Sequence, residues 1–170
     1  YNAQIGVSDG IIVNGDLFQR PADAGYGSYD NYMYCLTHRI ELYMKYTMYA
    51  KKNETKFKKK KYTTLNWETT EEGYKICPNQ HIFNKNIYDR YEDKGKYLRI
   101  IQRLENKESC EGCPSKNECC QNKRHQKVLS RDVVLEEFYR EIDENLSTEF
   151  GKELKKQRSI QGEGAFGVIK

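Results

Sequence analysis

Two acids, Asp23 and Glu163, and a group of cysteines are the residues whose type and setting could carry chemistry. Asp23 stands in Pro21-Ala22-Asp23-Ala24-Gly25-Tyr26-Gly27-Ser28, just ahead of a helix-compatible stretch from Tyr29 to His38. An acid at a strand end, facing the next turn, is a usual place for catalysis in α/β folds, and the plain alternative is an Asx turn. Glu163 lies in Gln157-Arg158-Ser159-Ile160-Gln161-Gly162-Glu163-Gly164-Ala165-Phe166-Gly167-Val168-Ile169-Lys170. Read as a helix, that stretch sets Glu163 and Lys170 two turns apart on one face with Phe166 close by. Its three glycines each cost a helix roughly 1 kcal/mol, so tertiary contact must hold it; an ordinary amphipathic helix end is the plain reading.

The cysteines suggest a second, separate chemistry. Cys110-Glu111-Gly112-Cys113-Pro114 is a C-x-x-C knuckle followed by Cys119 and Cys120, and Cys77-Pro78 lies upstream with His81 four residues on. Thiolates so spaced suit a structural, tetrahedral Zn²⁺ held by Cys77, Cys110, Cys113 and Cys119, with Cys120 or His81 as alternates. Such an ion would staple a stretch poor in apolar residues. Only one complete C-x-x-C pair is present, so free reduced thiols stand beside zinc as the alternative. Disulfides do not suit a reducing cytosol. Cys35 reads as core.

Composition narrows the class of protein that must position these groups. At 170 residues the chain has room for one domain with a real core. With 37% hydrophobic and 32% charged residues and a mean hydropathy of -0.95, that core is lean and much of the chain is solvated. No apolar run approaches the roughly 20 residues that cross a bilayer, and no signal-peptide pattern opens the chain, so it reads as cytoplasmic and free of membranes. The first residue is Tyr1 and the sequence enters at once on a strand-like pattern, which reads as a fragment of something longer.

The net charge of +4 is modest, but seven lysines, Lys58, Lys59 and Lys60 among them, crowd between Lys51 and Lys61 around the single acid Glu54. A second cluster holds Lys152, Lys155, Lys156 and Arg158. Basic clusters favour polyanions such as DNA, and a solvated loop is the alternative for the first of them. His38 and His125 read as surface residues. Trp67 and the 14 tyrosines could stack on bases but more often fill a lean core. No phosphate-cradling loop and no Ser-His-Asp set supports nucleotide or ester hydrolysis.

Periodicity supplies the elements. Ala3 to Val7 and Gly10 to Asn14 read as a hairpin turning at Ser8-Asp9-Gly10. Glu41 to Tyr49 reads as a further strand leading into the lysines. The stretch to about Lys127, rich in Lys, Asn, Glu and Tyr, has the character of an insertion. Leu135, Phe138, Ile142 and Leu146 then recur at helical spacing, and Ser147 or Thr148 is placed to cap a further helix carrying Phe150 and Leu154. The expected division is therefore 1–50 as the first part of a core, 51–127 as a basic, cysteine-bearing insertion and 128–170 as the helical remainder.

Tyr1-Asn2-Ala3-Gln4-Ile5-Gly6-Val7, Ala22-Asp23-Ala24-Gly25-Tyr26-Gly27-Ser28 and the run from Arg158 through Glu163-Gly164-Ala165-Phe166-Gly167 to Lys170 closely resemble segments of DDE transposases from bacterial insertion sequences. The resemblance spans essentially the whole chain. It implies a partial RNase H-like core, an α/β mixed sheet with helices, interrupted by the cysteine-bearing, zinc-ribbon-like insertion. It also implies that Asp23 and Glu163 are the second and third acids of a catalytic set holding Mg²⁺ or Mn²⁺, with Arg158 and Lys170 on DNA phosphate. The partners implied are insertion-sequence terminal repeats, target DNA and a second copy in a homodimer. Strand transfer displaces one phosphodiester oxygen by another, and two divalent ions roughly 3.5–4 Å apart stabilise both.

Departures from the family are as specific. The family's first catalytic Asp sits on a strand ahead of the hairpin, so the chain is expected to start after it; Asp9 and Asp16 are poor substitutes. Only Leu17 to Arg20 separate Asp16 from Pro21, too short for the helical crossover that relatives carry there, which takes a dozen or more residues and points to an internal deletion. Gly162 replaces a more usual aliphatic residue. The expectation is that this chain alone is catalytically inactive, and the alternative function is a non-catalytic zinc-ribbon module that binds DNA or protein.

Overall fold

The computed structural model describes residues 6–8, 11–13, 27–93, 95–120 and 126–157, the first two stretches as backbone. The chain divides into two compact units, Tyr1–Tyr46 with Glu137–Lys170, and Thr47–Glu136. Among the described residues no helix is long and apolar enough to cross a membrane.

In the first unit β1 (Gly6–Ser8) and β2 (Ile11–Val13) pair antiparallel with Val7 opposite Ile12, as the hairpin pattern predicts. Helix α1 (Tyr29–Thr37) starts where Ser28 accepts the Asn31 N–H at 3.3 Å, and Asp30 in its first turn complements the positive end of the helix dipole. Its end is a Schellman motif. Arg39 takes the left-handed conformation (φ 56°), its N–H donating to the Leu36 carbonyl and that of Ile40 to the Cys35 carbonyl. Tyr32 and Cys35, three residues apart, share the buried face, so Cys35 is core as expected.

Phe138, Ile142 and Leu146 recur every fourth residue along helix α4 (Val133–Ser147) and are buried. Tyr32 packs on Phe138 with ring centroids 5.5 Å apart and meets Tyr139 edge-on at 6.2 Å. Thr148 then caps a helix over 149–157, its hydroxyl accepting the Gly151 N–H at 3.0 Å. Glycine is required at 151, because a Cβ there would lie 2.1 Å from the Asn145 carbonyl oxygen.

The strand predicted over Glu41 to Tyr49 is a correction. Residues 41–46 are neither helix nor strand and have no ladder partner among the described residues, and 47–50 form a turn. The alternation that suggested a strand is real, since Leu42, Met44 and Tyr46 are all buried. Side chains of α4 do what a neighbouring strand would do. Asn145 donates to the Leu42 carbonyl at 3.1 Å, the Tyr46 hydroxyl donates to the Asp143 carboxylate at 3.1 Å, and the Tyr46 ring stacks on Tyr139 at 4.0 Å. Period-two burial reports a two-sided environment, whatever supplies it.

The second unit builds from short elements. Helix α2 (Thr55–Lys58) buries Phe57, and Asn66 ties its end by donating to the Phe57 carbonyl at 2.7 Å. Strands β3 (Glu68–Thr69) and β4 (Lys75–Ile76) pair antiparallel around a turn in which Gly73 has φ 84°. A Cβ on Gly73 would also meet Arg131, which lies over the Tyr74 ring and donates to the Glu72 carbonyl at 2.7 Å. Strands β5 (Lys85–Glu92), β6 (Arg99–Glu105) and β7 (Leu129–Arg131) form an antiparallel sheet in that order, with an irregularity between Asn86 and Tyr88. Trp67, Cys77 and Phe83 make a small core with Cys119 and Leu129 against it. The one indole N–H, on Trp67, donates to the Lys61 carbonyl at 3.0 Å.

The result is a mixed α/β chain of helices and small antiparallel sheets. All strand pairs among the described residues are antiparallel, so the mixed sheet expected of an RNase H-like core is not among them. The short connections between β1 and β2, β3 and β4, and β5 and β6 deliver those neighbours antiparallel, since parallel pairing needs a long crossover.

Candidate functional site

Asp23, Arg158, Glu163 and Lys170 lie outside the described residues, as does His125. Lys58, Lys59 and Lys60 are exposed at the end of α2, around the buried Phe57, so their ammonium groups face solvent while the apolar side chain between them and the core anchors the turn. His38 is exposed and stacked on Tyr34 at 3.9 Å, the surface position expected of it.

Local turns bring the cysteines of the second unit together. Cys77 opens a turn closed by the Gln80 N–H on its carbonyl at 2.8 Å, with Gln80 left-handed at φ 63°. Cys110 and Cys113 face across another, closed at 3.3 Å with Gly112 at φ 77°. Helix α3 (Lys116–Cys119) ends on Cys119 with Cys120 as its cap residue. All five thiols line one cavity of about 20 Å³, together with His81, Asn79 and Asn106. That volume is about one water molecule's worth. The sulfurs surround it without converging: among the described residues no three His, Cys, Asp or Glu side chains form a group that could hold a metal ion as placed. The expected zinc set of Cys77, Cys110, Cys113 and Cys119 is thus gathered into one cavity but not closed into a coordination sphere.

What surrounds the sulfurs was not legible from spacing. Asn79 donates to Cys113 Sγ at 2.9 Å, the His81 backbone N–H to Cys77 Sγ at 3.4 Å and Lys127 Nζ to Cys119 Sγ at 3.6 Å. Lys127 is itself held by the Cys119 carbonyl at 2.8 Å and lies 4.9 Å above the Trp67 ring. Cys110 is different, its Sγ lying 3.8 Å from the Asn106 side-chain oxygen as the donor, and Gln126 holds that buried asparagine at 2.7 Å. The His81 ring nitrogen takes Glu108 at 3.1 Å. Burial pushes the Cys110 and Cys119 thiols up, with Lys127 pulling Cys119 the other way. The turn-forming Cys77-Pro78-Asn79-Gln80 run was the one available signal for Asn79. Lys127, eight residues from Cys119, had none.

The first unit has its own open pocket of about 230 Å³, lined by Cys35, Arg39, Glu41 and Glu141 among others. Burial raises the Glu141 carboxyl above its ordinary 4.5, Glu41 and Glu144 adding to the rise while the Leu42 N–H and Asn145 oppose it. A raised folded-state pKa favours folding below the unfolded value, and that contribution is lost as pH climbs through the folded one. Glu141→Gln should therefore stabilise the protein by about 0.5 kcal/mol near pH 7, after discounting for partial exposure, and change nothing near pH 3. Urea melts at the two pH values check this, and an equal effect at both would refute the burial cause.

The chain matches a family model described as a transposase DDE domain over residues 76–170, a stretch that includes Glu163, Lys170 and the five clustered cysteines and leaves out Asp23. No curated protein and no solved structure matches it.

Proposed function

Since the chain belongs to the transposase DDE-domain family, we propose that it carries part of the machinery that cuts and joins DNA at insertion-sequence ends by divalent-metal-dependent phosphodiester transfer, working as a homodimer in the cytoplasm. The observation that carries this reading is the family match across the second half of the chain, which holds Glu163. Asp23 and Glu163 are the carboxylates assigned to the metal, and hard oxygen donors of that kind suit Mg²⁺ or Mn²⁺. Ions bound there would stabilise charge on the attacking and leaving oxygens of the phosphodiester. An RNase H-like core is the arrangement that would bring acids so distant in sequence together. Arg158 and Lys170 are the residues assigned to the DNA backbone, and the exposed Lys58, Lys59 and Lys60 would add phosphate contacts of their own, which fix position without reading sequence.

Calorimetric titration of the chelator-treated chain with Mn²⁺ tests it, beside Asp23→Ala and Glu163→Ala. The expected result is binding that either substitution abolishes. Binding indifferent to both, or none, would sink the assignment.

A second reading has an observation of its own, the five thiols lining one cavity. It makes the cysteine-bearing segment a zinc-ribbon-like module that binds DNA or protein without catalysis. Loss of DNA binding on Asp23→Ala or Glu163→Ala is not expected of such a module, whereas removal of its cysteines would abolish it.

A further inference from the structure

We propose that the thiol cavity of the second unit binds one Zn²⁺ through Cys77, Cys110, Cys113 and Cys119, that Asn79, Lys127 and the His81 backbone N–H orient three of these sulfurs by donating hydrogen bonds to them, and that Cys120 and the His81 ring stand outside the ligand set. The inference deepens the zinc-ribbon reading and rests on it alone.

Sulfur that accepts hydrogen bonds is the observation that carries the assignment furthest. A neutral thiol is a weak acceptor, and a buried one satisfies itself by apolar packing. Here three separate donors are aimed at three sulfurs, Asn79 at Cys113, His81 N–H at Cys77 and Lys127 at Cys119. Donors of this kind around ligating groups orient them and tune their basicity. Lys127 adds charge as well as direction. Four thiolates around a divalent cation leave a net negative cluster, which an ammonium group 3.6 Å from one sulfur offsets, anchored meanwhile by a carbonyl and the Trp67 face.

The fourth sulfur follows from the turns. Cys110 shares the C-x-x-C turn with Cys113, and its Sγ now donates to Asn106, an asparagine held in place by Gln126. On metal binding the four thiols release their protons to solvent and bind as thiolates. Rotation about χ1 turns lining side chains into ligands while the backbone turns stay as they are. Cys119 and Cys120 are consecutive at the end of α3, and both line the cavity. Lys127 marks Cys119 as the ligand of the two. The His81 ring is engaged by Glu108 at 3.1 Å. Tetrahedral sulfur coordination is the geometry that zinc adopts in structural sites.

Anaerobic titration of the metal-free full chain with Co²⁺, followed by displacement with Zn²⁺, reads the site through thiolate-to-cobalt charge-transfer absorption. One Co²⁺ per chain is expected. The band should be lost or cut sharply in Cys77→Ser, Cys110→Ser, Cys113→Ser and Cys119→Ser, and retained in Cys120→Ser, His81→Ala and Cys35→Ser. Lys127→Gln removes no ligand, so it keeps the test decisive if serine variants fail to fold; it should bind with unchanged stoichiometry and roughly tenfold weaker affinity. No thiolate band in the unsubstituted chain would overturn the zinc-ribbon reading and this assignment together. A band that survives Cys110→Ser but vanishes in Cys120→Ser or His81→Ala would leave that reading standing and overturn the ligand set. Undiminished affinity in Lys127→Gln would overturn the role given to that residue.

Discussion

Phe83→Ala should destabilise the second unit by about 3–5 kcal/mol, the usual range for emptying a buried phenylalanine site. Phe83 is 1% exposed and its ring lies 5.4 Å from that of Trp67, with Cys77 in the same small cluster. Trp67, Cys77, Cys119 and Leu129 share this small core, so the ring is a large part of it. Urea unfolding followed by fluorescence of Trp67, the single tryptophan, measures it. A cost below about 1 kcal/mol would mean that this cluster is not what holds the unit together. Because Cys77 packs beside Phe83, the variant should also bind Co²⁺ more weakly in the cysteine cavity, in proportion to the loosening.

Asp132→Ala should lower stability by about 2–3 kcal/mol, through two effects that can be separated. Asp132 is 8% exposed, and its two carboxylate oxygens have different partners, Arg99 Nε at 2.5 Å and the Leu135 N–H at 2.9 Å. The second bond caps α4 and contributes about 1 kcal/mol. The first neutralises Arg99, whose side chain keeps 30% exposure and a second acid, Glu92, at 3.6 Å, so the cost of stranding it is well short of that for a fully buried pair. Asp132→Asn retains a cap acceptor and removes the charge, and should cost about half as much. Thermal melts of the two variants decide between the effects, since equal losses would mean that the ion pair, and not the cap, carries the stability.

Helices were the most legible part of the fold. Phe138, Ile142 and Leu146 mark α4 because a helix returns a side chain to the same face about every fourth residue, and Thr148 marks the next helix because its hydroxyl can satisfy an N–H that the helix leaves open. The stretch over Glu41 to Tyr49 misled for a reason internal to the signal. Alternating burial requires two unlike sides, and side chains from α4 supply one of them where a strand was expected. Of the candidate sites, the cysteine spacing pointed to one place, and the five thiols do share a cavity. Asn106 and Gln126, which fix Cys110, are far apart in sequence and of unremarkable type, so no local pattern could single them out.

Residue type and order set the chemistry available to this protein: carboxylates at Asp23 and Glu163, clustered lysines, thiols at knuckle spacing, and the family that residues 76–170 match. These are properties of residue type and short-range order, which a chain carries whether folded or not. Folding sets which polar groups meet across long separations. Asn79 reaches Cys113, Arg99 reaches Asp132, and Asn145 replaces a strand for Leu42 because the part of each group that is withdrawn from water needs a partner, and each finds it wherever packing has placed one.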